Sequence, residues 1–117
     1  MPDSETITLG QIAHTRSGDK GNHANVGVIA YTPEGYAFLR RELTAVRMAE
    51  HFAGLKHSGV NRFELPGIGA LNFVLSNCLG GGASRSMRID TQGKLLGTAA
   101  LEIELPKPEK IEAMKRR

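Results

Sequence analysis

Residues 24–54 read as one strand passing directly into one helix, and this junction constrains the fold more than any other stretch. "ANVGVIAY" (24–31) is apolar, rich in β-branched residues and flanked by Gly and Pro, which predicts a strand. It is apolar enough for both faces to be buried, which predicts a central place in its sheet. "TPEGYAFLRRELTAVRMAEHFAG" follows at once. Thr32 suits an N-cap, Pro33 the first helical position, and Glu34 the positive end of the helix dipole. Tyr36, Leu39, Leu43 and Val46 recur at spacings of three and four, and Met48 with Phe52 widens the stripe. Gly54 suits a left-handed C-terminal cap. Arg40, Arg41, Glu42 and Arg47 are left on the solvated side. A strand joined to a helix of this length needs a sheet for the helix to cover.

The remaining elements follow from period and punctuation. "TITLGQIA" (6–13) alternates Ile7 and Leu9 with threonines, a half-buried strand. "GVNRFELP" (59–66) is a short strand ended by Pro66. "GALNFVLSNCLGGG" is ambiguous in period: Leu71, Val74, Leu75, Cys78 and Leu79 fit helical spacing, and the glycines from Gly80 onward stop it, so a helix is expected. "SRSMRID" and "KLLGTAALEIELP" are expected strands joined at Gly93, the second with Ala99, Leu101, Ile103 and Leu105 inside. The expected order is β-β-α-β-α-β-β. That is an α+β two-layer sandwich with both helices on one face of a four- or five-stranded sheet, an arrangement that resembles the ferredoxin-like fold.

With 117 residues the chain suits one domain. Residues 107–117 carry five cations against two carboxylates, a net +3 that equals the formal charge of the whole chain. The basic pI near 9.3 is therefore the property of a tail. The expected division is a neutral α+β domain at 1–106 and a basic tail at 107–117, partly disordered or forming one helical turn. A basic face with exposed aromatics, as nucleic-acid binding needs, is not indicated. Cys78 is the only cysteine, which excludes an internal disulfide and points to a reducing compartment. The acidic, polar start "MPDSETITLG" is no signal peptide, and no apolar run nears the ~20 residues that span a bilayer. A cytoplasmic protein without membrane contact is expected. With no Trp and few aromatics, the core would gain from a partner subunit.

Two segments could carry chemistry. In "HTRSGDKGNHANVGV" (14–28), Arg16, Ser17, Gly18, Asp19, Lys20, Gly21 and Asn22 form a Gly-rich stretch whose N–H groups and two cations could gather around an anion. Equally, Ser17, Asp19 and Asn22 could bond to backbone and hold a long hairpin turn. The spacing is not that of a Walker A loop, so triphosphate hydrolysis is not indicated. His14, Asp19 and His23 are metal-ligand types, but their spacing matches no metal motif and no metal site is expected. His51 and His57 bracket the end of the helix, where the dipole accounts for them. In "GGGASRSMR" (80–88), Gly80, Gly81 and Gly82 allow close approach, and Ser84, Arg85 and Arg88 supply donors for phosphate or carboxylate. The alternative is a helix stop and an edge strand kept soluble by arginine. Neither Ser17 nor Ser84 has a base at motif spacing, so no catalytic residue is assigned.

"RSGDKGNHANVGV" and "ELPGIGALNFVLSNCLGGGASRSMRIDTQGKLLG" together resemble the small C-terminal domain of the acyclic terpene utilisation (AtuA-like) family, over roughly residues 10–105. The resemblance implies a ferredoxin-like fold and a free-standing version of a domain that elsewhere follows a much larger one. It implies a small subunit or accessory module of an assembly that processes acyl-CoA thioesters of branched or terpenoid acids, with a large AtuA-like chain as partner in a homo- or hetero-oligomer. No resident cofactor is implied, and a CoA thioester would be the ligand. Arg16, Lys20, Arg85 and Arg88 would then meet a CoA phosphate, an acyl carboxylate or an acidic partner. A pure assembly module without ligand and an independent small enzyme are the alternatives.

Overall fold

Alternation along residues 23–30 sets the centre of the molecule. In the computed structural model, which describes residues 5–20, 23–52, 59–76 and 97–115, strand β3 (His23–Ala30) buries Ala24, Val26 and Val28 and exposes His23 and Asn25. It is central, as its composition predicts, but only one face is covered. The open face carries Asn25 and Gly27, which the overall apolar count of the run conceals.

The main sheet is four-stranded and antiparallel, in the order β2–β3–β5–β4, with β2 at Ala13–Lys20, β4 at Gly59–Leu65 and β5 at Ala70–Ser76. β2 and β3 form a hairpin registered from Ala13↔Ala30 to Lys20↔His23. The stretch read as a Gly-rich loop is thus mostly paired strand. Its backbone is extended, so successive N–H groups point to opposite sides and those of residues 13–20 do not converge on one anion. β3 and β4 both run antiparallel to β5 between them, and the chain that follows β3 is helical over Pro33–Glu42 and Ala45–His51. That is the split β-α-β unit of ferredoxin-like domains, with β2 beside β3. The α+β, two-layer reading holds, whereas the expected element order does not.

The expected helix at "GALNFVLSNCLGGG" is, over Ala70–Ser76, strand β5. Leu71, Phe73 and Leu75 are buried and Asn72, Val74 and Ser76 alternate with them. A short apolar run satisfies both periods. Ladders to β3 on one side and β4 on the other decide for the strand. The β4–β5 hairpin closes through a 3-10 turn at Pro66–Ile68 and Gly69, whose φ of 65° is left-handed.

The expected single helix is two: α1 (Pro33–Glu42) and α2 (Ala45–His51). Thr32 caps α1, its Oγ1 accepting from Gly35 N at 3.0 Å, and Thr44 caps α2, accepting from Arg47 N at 3.1 Å. The carbonyls freed by the break are met by guanidinium groups. Arg62 on β4 donates to Arg40 O (2.9 Å) and Leu43 O (3.0 Å), and Arg47 donates to Glu42 O (2.9 Å). The break also turns Val46 out of the apolar stripe, leaving it 66% exposed, while Phe38, Leu39, Leu43, Met48 and Phe52 are buried.

Two further expectations are corrected at the ends. "TITLGQIA" is a short strand β1 (Thr6–Thr8), a 3-10 turn at Leu9–Gln11, and then the start of β2. Leu9 and Ile12 are fully buried across that turn, and Leu9 N donates to Ile103 O at 2.8 Å. Of the strand expected at "KLLGTAALEIELP", residues 94–96 lie outside the described residues, 97–100 are helical, and among the described residues β6 (Glu104–Pro106) alone is extended, paired with β1. Three i→i−3 bonds, Leu101 N to Thr98 O, Glu102 N to Ala99 O and Ile103 N to Ala100 O, use the backbone groups a ladder would need. Beyond it, Ile111–Ala113 form a 3-10 turn and Met114 is buried. The expected strand at "SRSMRID" lies outside the described residues. No described helix is long and apolar enough to cross a membrane.

Candidate functional site

The face of the main sheet turned away from the buried core side chains is built from three cross-strand rows. In the first, Arg16, Gly27, Asn72 and Phe63 lie in register across β2, β3, β5 and β4. On one side of it lie Gly18, Asn25, Val74 and Asn61, and on the other His14, Ile29, Ala70 and Leu65. Three strand spacings separate the ends of each row, about 14 Å. The face is graded: a cation at the β2 edge, small and amide side chains in the middle, and apolar side chains at the β4 edge. Phe63 is 51% and Leu65 42% exposed, and Ile68 beyond them 68%.

Arg16 is exposed and makes no hydrogen bond or ion pair among the described residues. Every other described arginine is engaged with a carboxylate: Arg40 and Arg62 with Glu64, and Arg41 and Arg47 with Glu42. Gly18 sits beside Asn25, whose Oδ1 lies 3.0 Å from where a Cβ at Gly18 would be. Ser17 is on the other face. A Cβ built on Gly97 would lie 2.9 Å from its Oγ, and the neighbouring Thr15 Oγ1 donates to Gly97 O at 2.7 Å. The pleat therefore separates Ser17 from Arg16. Asp19 and Lys20 end β2, paired with Ala24 and His23. Gly21, Asn22, Cys78, Gly80, Gly81, Gly82, Ser84, Arg85 and Arg88 lie outside the described residues, as does His57.

The structure brings in residues that motif reading passed over. Asn25 Nδ2 donates to Asn72 Oδ1 at 3.3 Å across β3 and β5. Beside this pair is a shallow hollow of about 320 Å³ lined by His23, Ala24, Asn25, Asn72 and Val74. The available signal was compositional: Asn and Gly at the middle of strands are unfavourable choices for a pleated surface. His14 stacks on Tyr31, with ring centroids 5.5 Å apart, at the end of the face away from His23. Six residues of extended chain separate His23 from Ile29, the partner of His14, about 20 Å. No group of three or more His, Cys, Asp or Glu among the described residues could hold a metal ion.

A model of the AtuA ferredoxin-like domain family matches residues 7–106. Comparison with curated proteins and with solved structures returns no match.

Proposed function

The chain belongs to the AtuA ferredoxin-like domain family, and on that premise we propose that it serves as the small subunit or accessory module of an acyl-CoA-processing assembly. In this reading the open sheet face and the segment Gly80–Arg88 bind the anionic part of a CoA thioester, with a large AtuA-like chain as partner. The carrying observation is Arg16, a guanidinium on an open face that forms no ion pair among the described residues, whereas the other described arginines are paired. A second observation bears on sharing of the site by both Gly-rich segments. Ser76, which follows Leu75 in its pairing with Ala24 and alternates with the buried Leu75, adjoins the β2–β3 hairpin on the open face, whereas Gly97 abuts Thr15 and Ser17 on the covered face.

Calorimetric titration of CoA into the protein, alone and with its co-purifying large chain, tests the reading. Saturable binding that weakens about tenfold in Arg16→Ala supports it. Absence of binding up to millimolar CoA in both preparations overturns it.

One observation favours a second reading, that of an assembly module without ligand. Phe63, Leu65 and Ile68 form an exposed apolar margin along β4 and its turn. Loss of the complex on Phe63→Ser, together with no CoA binding, decides for that reading.

A further inference from the structure

The middle of the open sheet face breaks the local rules that the rest of the sheet obeys. On the covered face β3 and β5 present Ala24, Val26, Val28, Leu71, Phe73 and Leu75, mostly good strand formers. On the open face the same two strands present Asn25, Gly27 and Asn72 between Ile29 and Val74, with Gly18 next to them on β2. The two asparagines and two glycines are residue types that strands disfavour. No backbone need accounts for Gly27, which is not among the positive-φ glycines, Gly59 and Gly69. Nor does crowding: a Cβ there would meet Arg16 O at 3.7 Å and Asn72 Oδ1 at 3.9 Å, ordinary contacts. A glycine inside a strand without a conformational reason marks a place where another molecule approaches the backbone. Such departures from local consistency are expected where function is served.

The chemistry on this floor is that of amides. Asn25 and Asn72 bond to each other once. That leaves the Asn25 carbonyl oxygen, one Asn25 N–H and both Asn72 N–H groups to pair outward. An acceptor with donors beside it can serve both ends of a secondary amide, which carries one N–H donor and one carbonyl acceptor. The adjoining hollow, about 320 Å³, is lined among the described residues by His23, Ala24, Asn25, Asn72 and Val74, with no carboxylate, lysine or arginine. That volume is at the lower end of small-molecule sites. A protein docking patch needs about 800 Å² from each partner. Arg16 stands in the same cross-strand row as Asn72, on the far side of Gly27.

We infer that Asn25 and Asn72, over the floor left by Gly18 and Gly27, bind the neutral, amide-bearing arm of an anionic small molecule, its charged end directed toward Arg16. The identity of that molecule rests on the reading above: in a CoA thioester the arm is pantetheine, which carries two secondary amides.

The test uses the whole protein, isotopically labelled, with three probes: pantetheine, CoA and adenosine 3′,5′-bisphosphate, which carries phosphates without the amide arm. Pantetheine is expected to shift the side-chain amide resonances of Asn25 and Asn72, and the bisphosphate to leave them in place. Asn25→Val and Asn72→Val, each a better strand former than asparagine, are expected to weaken CoA at least tenfold without altering bisphosphate affinity. Gly27→Thr, which raises the floor, is expected to do the same. CoA binding that Arg16→Ala weakens but the asparagine variants leave within twofold overturns the inference and spares the CoA reading. Pantetheine binding at these amides without CoA binding overturns the CoA reading and keeps the amide site. Triglycine shifting the same resonances at equal concentration overturns the small-molecule assignment in favour of a peptide.

Discussion

Gly27→Thr is expected to stabilise the protein while removing its ligand. Gly27 lies inside the central strand β3, paired with Arg16 on one side and Asn72 on the other. A glycine in a strand interior is less stable than alanine by about 0.5–1 kcal/mol because more backbone freedom is lost on folding. Threonine adds part of the ~1 kcal/mol that separates poor from good strand formers. The Cβ itself meets no steric opposition, since its nearest atoms would stand at 3.7 and 3.9 Å and φ is not positive. The expected net is about +1 kcal/mol, which for a domain of this size raises Tm by about 3–5 °C. In urea the midpoint moves up by about 0.5 M with an unchanged slope. Thermal and urea unfolding measure the first half, and CoA titration of the same preparation measures the second. A variant destabilised by more than about 0.5 kcal/mol, outside the usual spread of neutral surface changes, refutes the argument that the glycine is there for space.

Other substitutions probe the scaffold. The Tyr36 hydroxyl is buried with no hydrogen-bond partner, so Tyr36→Phe is expected to stabilise by about 1 kcal/mol in urea unfolding, because a buried unpaired hydroxyl carries a desolvation penalty. A loss of similar size would mean that the hydroxyl is engaged. Arg62→Ala is expected to destabilise by about 2 kcal/mol, leaving the Arg40 and Leu43 carbonyls without their charged donor. A change under 0.5 kcal/mol by the same assay would show that water serves those carbonyls equally. Thr32→Ala is expected to lower stability by about 1 kcal/mol through loss of the cap to Gly35 N. Arg16→Ala, at an exposed position outside the packing, is expected to leave Tm unchanged while weakening CoA binding.

Signals that rest on one residue and its immediate neighbours were readable directly. Thr32 capping Pro33–Glu42 and Pro66 ending the strand at 59–65 needed nothing from the rest of the chain. Signals that needed a choice between two satisfied periods were not. Residues 70–76 carry helical and strand patterns at once, and the ladders to β3 and β4 choose between them. Leu43 and Val46 belong to one helical stripe by spacing alone. The guanidinium of Arg62, nineteen residues beyond Leu43, meets the carbonyls where the helix stops. The candidate site shows the same division. Arg16 and Gly18 stood out as residue types, whereas Asn25 and Asn72, 47 residues apart, become a pair only when β3 lies beside β5.

By itself the sequence determined the class of fold, the central role of the strand within residues 24–31 and the Thr32 cap, because these depend on short-range sterics, hydrogen-bond capacity and local apolar period, and its two Gly-rich motifs determined the family. Tertiary structure decided which strands are neighbours, that Ser17 and Arg16 look to opposite faces, and that a polar, glycine-floored strip runs across the open sheet. Register across strands is fixed by burying one continuous apolar face. That choice is made by all the strands together, and a shift of one residue would have put every one of these side chains on the other side.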